Sequence, residues 1–152
     1  MATITGTSGN NTLFTNINED DTVTDTAGDD EVRFAVGIDY MNMSFVKEGD
    51  DLHLYTKEAG TVTIKDHFAS SSDMVETLEF LSGLTIDLTA SNIFITEKNS
   101  GNYSSASGTS SADLILAGIG KDAYSADPSK AAQATVIASE GNDIIIANYA
   151  GE

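Results

Sequence analysis

The sequence predicts an all-β protein in which short strands wind into a flattened coil, then form antiparallel hairpins, and then return to a second, shorter coil. Three observations predict this fold class. A nine-residue pattern opens the chain, alternation of apolar and polar residues replaces it in the middle, and the nine-residue pattern returns towards the C-terminus. Repeated short strands separated by Gly, Asn and Asp are typical of coiled β-architectures.

The nine-residue units place a turn residue, an acid or amide, and an apolar residue at fixed positions. The units are 6–14, 16–24, 25–33 and 34–42, and the first is one residue out of phase with the others. Their sixth places hold Asn11, Asp21, Asp30 and Asp39, each followed two places later by an apolar residue. This spacing predicts one turn and one short strand per unit, with strands at 12–14, 22–24 and 31–34.

Two such units close one turn of a flattened coil, so residues 18 apart are expected to stack on one side. Asp21 and Asp39 have this separation. Asn11 and Asp30 are 19 apart, a near-match that requires one extra residue around Thr15.

Between residues 41 and 95 the apolar period changes from nine to two. Alternating pairs such as Leu52 with Leu54, and Val62 with Ile64, are typical of half-buried strands. The breaks at 48–50, 58–60 and 82–83 contain Gly with acidic or small residues, so we expect a run of antiparallel hairpins. One helical turn is expected within 66–73. Acidic residues outside the nine-residue units are expected to be solvated or to point outward from strands, namely Glu48, Asp50, Asp51, Glu76 and Glu79.

Residues 96–107 are rich in Ser, Asn and Gly, which predicts a linker or a long loop. The nine-residue pattern returns over 108–147, where Asp113, Asp122 and Asp143 take the acidic places. Asp122 and Asp143 are 21 apart, two periods plus a three-residue insertion, and are expected to stack. Asp113 has Ala134 at the corresponding position, so it is the weakest candidate of the set.

The charge of the chain limits its partners. Asp and Glu number 24 against 7 Lys and Arg, a net charge of −17. Phosphates would be repelled, so nucleic acid and anionic membranes are disfavoured and cations are favoured. The absence of cysteine excludes disulfides and thiolate metal sites. No apolar run approaches the ~18–20 residues of a membrane span.

Calcium is the cation that this pattern predicts. It takes about six to eight oxygen ligands, which backbone carbonyls of a glycine-rich turn and short Asp side chains from two stacked turns can supply. We expect sites at Asp21 with Asp39 and at Asp122 with Asp143, then at Asp30 completed by Asn11, and last at Asp113. The alternative interpretation is that these are plain loop turns, in which the same residues are common.

These units resemble the glycine- and aspartate-rich repeats of the RTX, or haemolysin-type calcium-binding, proteins. Through residues 49–54, 61–68 and 75–80, the middle segment resembles the haemolysin-type accessory domain found between such repeats. The resemblance implies a right-handed parallel β-roll, an RTX-type solenoid, that wraps calcium at its corners. It also implies export by type I secretion with an uncleaved C-terminal signal, which agrees with an N-terminus that lacks the basic and apolar regions of a cleavable signal. Glu19 and Ser111 stand where the repeats have a corner glycine, so fewer ions than units are expected.

Four parts are therefore expected: first degenerate repeats over 4–40, a β-hairpin accessory domain over 41–95, a linker over 96–107, and second repeats with a C-terminal cap over 108–147. The expected function is that of a secreted, extracellular module that folds when calcium binds. Two alternatives are an adhesion or carbohydrate-binding module, with a polysaccharide or cell-surface partner, and the C-terminal appendage of a secreted protease, lyase or epimerase. Edge strands of an open roll also allow a dimer.

Catalysis within these residues is not expected. Neither a Gly-x-Ser-x-Gly elbow nor a phosphate-binding loop is present. The two histidines, His53 and His67, show no spacing typical of a zinc or acid–base site and are expected to be at the surface or half-buried. The sequence therefore predicts a protein that is not an enzyme.

Overall fold

The computed structural model describes residues 1–15, 19–34, 43–56, 60–100, 102–119 and 136–149. These residues are all-β and contain no helix. None of them therefore belongs to a helix long and apolar enough to cross a membrane. The predicted all-β class is confirmed.

Fifteen strands are formed by the described residues. In chain order they are β1 (Ala2–Thr5), β2 (Thr12–Thr15), β3 (Asp21–Thr24), β4 (Glu31–Phe34), β5 (Met43–Glu48), β6 (Asp51–Thr56), β7 (Thr61–Ile64), β8 (Thr77–Glu79), β9 (Thr85–Asp87), β10 (Ile93–Asn99), β11 (Asn102–Tyr103), β12 (Ala106–Ser107), β13 (Leu114–Ile119), β14 (Val136–Ile137) and β15 (Ile144–Tyr149).

Successive N-terminal strands alternate between two sheets. β1 pairs with β3 in parallel and β2 pairs with β4 in parallel, and each pair is offset by 19 residues, as in Thr12 opposite Glu31. β7 then pairs with β3, and β8 with β4, again in parallel. The three expected strands are present, but one turn of the coil takes 19 residues instead of 18. The additional residue is Thr15, which lies between two nine-residue units and extends β2.

Antiparallel hairpins occur where the alternating apolar residues predicted them. β5 with β6, β6 with β7, and β8 with β9 are antiparallel pairs. β7 and β8 nevertheless also continue the parallel coil, so this segment is built into both sheets. Residues 66–73 contain hydrogen-bonded turns, not the expected helical turn; one of them joins the Ala69 N–H to the Asp66 carbonyl at 2.9 Å.

A second coil extends the first sheet. Its strand order is β1-β3-β7-β6-β5-β10-β13-β15, and β10 runs parallel to both β5 and β13. β12 and β14 form a separate parallel pair. The prediction of a linker over 96–107 was wrong, because β10, β11 and β12 lie partly or wholly within it. The sequence did not indicate these strands because their composition is polar. Burial does not follow this polarity, since Thr96 is fully buried between β5 and β13.

The main core fills the space between the two sheets of the first coil. It contains Val23, Val32, Leu54 and Leu78, and the rings of Phe34 and Phe80 stack with centroids 4.9 Å apart. Farther along the large sheet, consecutive residues are buried from Met43 to Val46 and from Ile115 to Ala117. Side chains of a strand alternate between faces, so the sheet is covered on both faces at these strands.

Candidate metal centre

Two loops of the first coil lie directly over one another. Residues 6–11 connect β1 to β2, residues 25–30 connect β3 to β4, and together we call them the first corner. The Asn11 N–H donates to Oδ1 of Asp30 at 2.8 Å, and the Gly6 N–H donates to the Thr24 carbonyl at 2.8 Å. These contacts fix the register of the two loops, because the parallel strands on both sides share the same offset.

Glycine makes room for oxygen atoms on both loops of the first corner. A Cβ on Gly6 would lie 2.0 Å from Oδ1 of Asp25 and 2.8 Å from Oδ1 of Asn11. A Cβ on Gly28 would lie 2.9 Å from the Gly9 carbonyl oxygen and 3.0 Å from Oδ2 of Asp30. Gly28 also has a φ of +136°, a backbone conformation that would be strained in a residue with a side chain. Glycine is therefore required at both positions, because a Cβ would collide with the oxygen atoms that lie close together in this corner.

The two carboxyl groups of the first corner are buried against each other. Asp25 is 7% exposed and Asp30 is 1% exposed. Oδ1 of Asp25 and Oδ2 of Asp30 have no hydrogen-bond donor. Burial, then a hydrogen bond to the Asp30 carboxyl and its negative charge, raise the pKa of Asp25 to about 6. Two ionised carboxylates can only accept, so their contact is satisfied only when a proton or a cation lies between them.

The donor set suits a hard cation that prefers oxygen. It consists of two carboxylates, the Asn11 amide oxygen and at least one backbone carbonyl, which are the ligand types that calcium binds. Among the described residues, no group of three or more His, Cys, Asp or Glu side chains is placed to hold a metal ion. Neutral oxygens would therefore have to complete the coordination at this corner.

The stacking of Asn11 on Asp30 through hydrogen bonds continues to Glu76. The Asp30 N–H donates to Oε2 of Glu76 at 2.7 Å, and the Glu76 N–H donates to the Asp30 carbonyl at 3.1 Å. The expectation that Glu76 only points outward from a strand was wrong. It was missed because the hairpin insertion places Glu76 46 residues after Asp30, outside every nine-residue frame.

A second corner repeats this arrangement between residues 108–113 and 138–143. The Asp113 N–H donates to Oδ1 of Asp143 at 3.0 Å, as the Asn11 N–H does to Asp30. Asp113 Oδ2 accepts from the Thr109 N–H at 2.5 Å. Gly141, with φ of +120°, lies over the Ser111 carbonyl: a Cβ there would be 2.3 Å from that oxygen.

The equivalent hydrogen bonds of the two corners show which residues correspond and where the acids differ. Asp113 takes the place of Asn11, and Asp143 takes the place of Asp30. Ala138 takes the place of Asp25, since each is the first residue of a six-residue loop that ends at the acid Asp143 or Asp30. Each corner therefore has acids at two of these three places, but only the first corner has buried carboxylate oxygens without a donor among the described residues.

The predicted stacking of Asp143 on Asp122 stays a prediction, because Asp122 lies outside the described residues, but the structure gives Asp143 another partner. Asp143 lies against Asp113, 30 residues earlier, so Asp113 is not the isolated acid that was expected. The insertion between the two rungs is longer than the three residues that the sequence indicated. Asp122 itself and Ala134 lie outside the described residues.

Asp21 forms a similar hydrogen bond between neighbouring strands at the opposite edge of the coil. It is 2% exposed, and its Oδ1 accepts from the Ala2 N–H at 3.2 Å. In the sheet it lies opposite Ala2 and Val62. Its expected partner, Asp39, lies outside the described residues, and their shared calcium site stays a prediction.

Asp25 and His67, like Glu76, are residues that the sequence did not single out correctly. Asp25 could have been noticed as an acid at the first place of a unit, where the repeats have glycine. His67 was expected to be at most half-buried, but it is fully buried and its Nδ1 accepts from the Val75 N–H at 3.3 Å. Burial lowers the pKa of His67 to about 4, so the ring is neutral at neutral pH.

Comparison with known proteins adds no relative: no protein-family profile matches the sequence, and no curated protein matches it. The structure itself defines the class as an all-β protein whose sheets combine parallel and antiparallel strands. The functional argument therefore depends on the chemistry of the corners.

Proposed function

We propose that the protein is a calcium-binding structural module of the RTX type, whose parallel β-roll closes when Ca²⁺ binds at its corners. The observation that carries this proposal is the pair of buried, neighbouring carboxyl groups of Asp25 and Asp30, in which Oδ1 of Asp25 and Oδ2 of Asp30 each lack a donor. A bound Ca²⁺ would supply the positive charge that this pair requires. Asn11 and the Gly9 carbonyl are the neutral oxygens placed to assist.

Calcium binding is thereby coupled to folding. The first corner exists only when the loops 6–11 and 25–30 are stacked, so an ion that binds there stabilises the folded state over the unfolded chain. The net charge of −17 acts in the same direction, because self-repulsion disfavours compaction until cations are bound. The second corner, with Asp113 and Asp143, supplies a further pair of acids for a second ion.

The same coupling fits a protein that is exported before it folds. Where free calcium is scarce the corners stay open, and where calcium is abundant the roll closes. We infer that the module is secreted by the type I route and acts outside the cell as a structural element, not as an enzyme.

Calcium titration of three variants tests the first corner. Asp25→Asn and Asp30→Asn each remove one charge from the buried pair, whereas Asp29→Asn removes the same charge from an exposed neighbour. We expect the first two variants to weaken calcium binding at least tenfold by isothermal titration calorimetry. Asp29→Asn should change it less than threefold, as expected of a screened surface charge.

Circular dichroism and thermal melting test the coupling to folding. Calcium added to the chelated wild-type protein should increase the β signal and raise the melting temperature, and both effects should be reduced in Asp30→Asn. Identical spectra and melting curves with and without calcium would overturn the proposal. Equal losses in Asp30→Asn and Asp29→Asn would show a diffuse charge effect and would overturn the assignment of the site.

A further inference from the structure

The outward face of the first coil carries a straight row of uncharged polar side chains. Thr3 on β1 lies opposite Thr22 on β3, Thr22 lies opposite Thr63 on β7, and Thr63 lies opposite His53 on β6. Each of these residues alternates with an inward apolar neighbour of its own strand, such as Val23 between Thr22 and Thr24. We call Thr3, Thr22, Thr63 and His53 the hydroxyl row.

The accessible length of the hydroxyl row is set by the fold. The row continues in register to Val46 and Thr96, but these two are fully buried. Three steps of about 4.8 Å between neighbouring strands give the accessible part a length of about 14 Å. Thr3 is exposed, and Thr22, Thr63 and His53 are partly exposed. The result is a short strip that crosses four strands.

Polar and aromatic groups border this strip. Thr5 and Thr24 form a parallel pair, with their hydroxyl oxygens 3.3 Å apart. On β6 the ring of Tyr55 stacks on that of His53, with centroids 5.8 Å apart and an interplanar angle of 14°. The Thr63 hydroxyl contacts Nδ1 of His53 at 3.2 Å, while the hydroxyls of Thr3 and Thr22 make no hydrogen bond to any described residue.

The strip is neutral on a strongly acidic protein. The hydroxyl row contains no charged side chain, and burial, the largest influence, lowers the pKa of His53. The charged groups that act on His53 are Glu48, Asp51, Lys98 and Lys65. They form two ion pairs, Lys65 with Asp51, with 3.0 Å between Nζ and Oδ1, and Lys98 with Glu48. On the outward face of the other sheet, Arg33 pairs with Glu31 and Glu79, so that face is charged.

We propose that the hydroxyl row, together with the Tyr55 ring, is a binding strip for a neutral polysaccharide chain in an extended conformation. Threonine hydroxyls both donate and accept hydrogen bonds, which matches sugar hydroxyls, and an aromatic ring offers an apolar surface to the C–H groups of a sugar. The lack of charge disfavours an anionic polysaccharide on a chain of −17. A preformed sheet face loses little conformational entropy on binding. This inference goes beyond calcium binding and requires only that the first sheet is folded.

Binding to defined polysaccharides tests the strip. The full chain, saturated with calcium and shown to be folded by circular dichroism, is mixed with insoluble cellulose and chitin and run in affinity gels containing soluble β-glucan or alginate. We expect retention on at least one of the three neutral polymers and no retardation by alginate. Failure to bind all three neutral polymers, or preferential binding to alginate, would overturn the proposal.

Substitutions locate the binding on one face. Thr22→Arg places a long charged side chain in the middle of the row and should abolish retention, whereas Thr22→Val replaces the hydroxyl with a methyl group of similar size and should weaken binding about fivefold. Thr77→Arg is the matched control, because Thr77 faces outward on β8 of the other sheet. Equal losses in Thr22→Arg and Thr77→Arg, or full retention by both Thr22 variants, would overturn the assignment.

The two proposals can fail separately. In Asp25→Asn the hydroxyl row is unchanged, so retention on the polysaccharide at a temperature where this variant is folded should equal that of the wild type. In Thr22→Val the calcium affinity should be unchanged. A variant that loses both properties while remaining folded would contradict the independence of the two sites.

Discussion

The backbone N–H of Asn11 donates to Oδ1 of Asp30, 19 residues later and 2.8 Å away. This bond occupies one oxygen of the Asp30 carboxylate and leaves Oδ2 buried beside Asp25 without a donor. The hydrogen bond that stacks one loop on the other thus also leaves a buried carboxylate oxygen that a cation could neutralise.

Asp25→Asn is expected to stabilise the calcium-free protein at pH 7 and to weaken its calcium binding. The pKa of Asp25 is raised from 3.8 to about 6 in the folded state, so ionisation opposes folding above pH 6. Removing this ionisation should therefore increase the free energy of unfolding at pH 7. The amide of Asn can instead donate to Asp30. Urea denaturation in chelator measures this difference.

The sign of the pH dependence provides the check on Asp25. As pH falls through 6 towards 3.8 the buried carboxyl is protonated, and this destabilising contribution disappears. The stability advantage of Asp25→Asn over the wild type should therefore shrink between pH 7 and pH 4.5. Asp29→Asn, which changes an exposed residue of the same loop, should show no such convergence.

Gly6→Ala is expected to abolish calcium binding at the first corner. Its Cβ would lie 2.0 Å from Oδ1 of Asp25, so one of the oxygens in the corner must move. Gly9→Ala is the matched control in the same loop, because its Cβ would meet no atom within 4 Å. Calorimetry should show at least a tenfold loss of affinity for Gly6→Ala and less than a threefold change for Gly9→Ala. A reversed order would contradict the placement of Asp25.

Ala138→Asp is expected to strengthen calcium binding at the second corner. It restores the acid that Asp25 provides in the first corner and brings the local carboxylates to three with Asp113 and Asp143. We expect a gain of at least fivefold in affinity, measured in an Asp30→Asn background that weakens the first corner. Ser139→Asp adds the same charge at the next, exposed position and should give a smaller gain. No difference between the two variants would refute the equivalence of the corners.

His67 is expected to make the fold sensitive to acid. Burial lowers the pKa of His67 from 6.5 to about 4, so the folded state resists the proton that the unfolded chain takes up. This contribution to stability is present above pH 6.5 and is lost as pH falls towards 4, by up to about 3 kcal/mol. Nδ1 is also engaged as an acceptor from the Val75 N–H.

His67→Gln tests this contribution. Glutamine retains an acceptor for the Val75 N–H but does not titrate, so the loss of stability between pH 7 and pH 4.5 should be smaller than in the wild type. His53→Gln is the control, since His53 is partly exposed. If His67→Gln and the wild type lose equal stability over this interval, His67 is not the acid-sensitive group.

Strand positions in the first coil could be predicted because they depend on local chemistry. Glycine and acids mark each turn, and the apolar residues Leu13, Val23 and Val32 mark the strands between them. Asn11 and Asp30 were likewise brought into one candidate site by their spacing. The strands over 96–107 could not be predicted, because short segments such as Asn102–Tyr103 and Ala106–Ser107 become part of a sheet only when neighbouring strands satisfy their backbone.

By itself, the sequence determined that this is an all-β, acidic protein whose glycine- and acid-bearing turns alternate with short strands. Only the tertiary structure decided which acids meet: Glu76 with Asp30, Asp143 with Asp113, and Asp25 with Asp30. The physical reason is that rungs recognise each other through backbone pairing and burial. An insertion between rungs adds only slowly growing loop entropy, so spacing along the chain does not fix which rungs are neighbours.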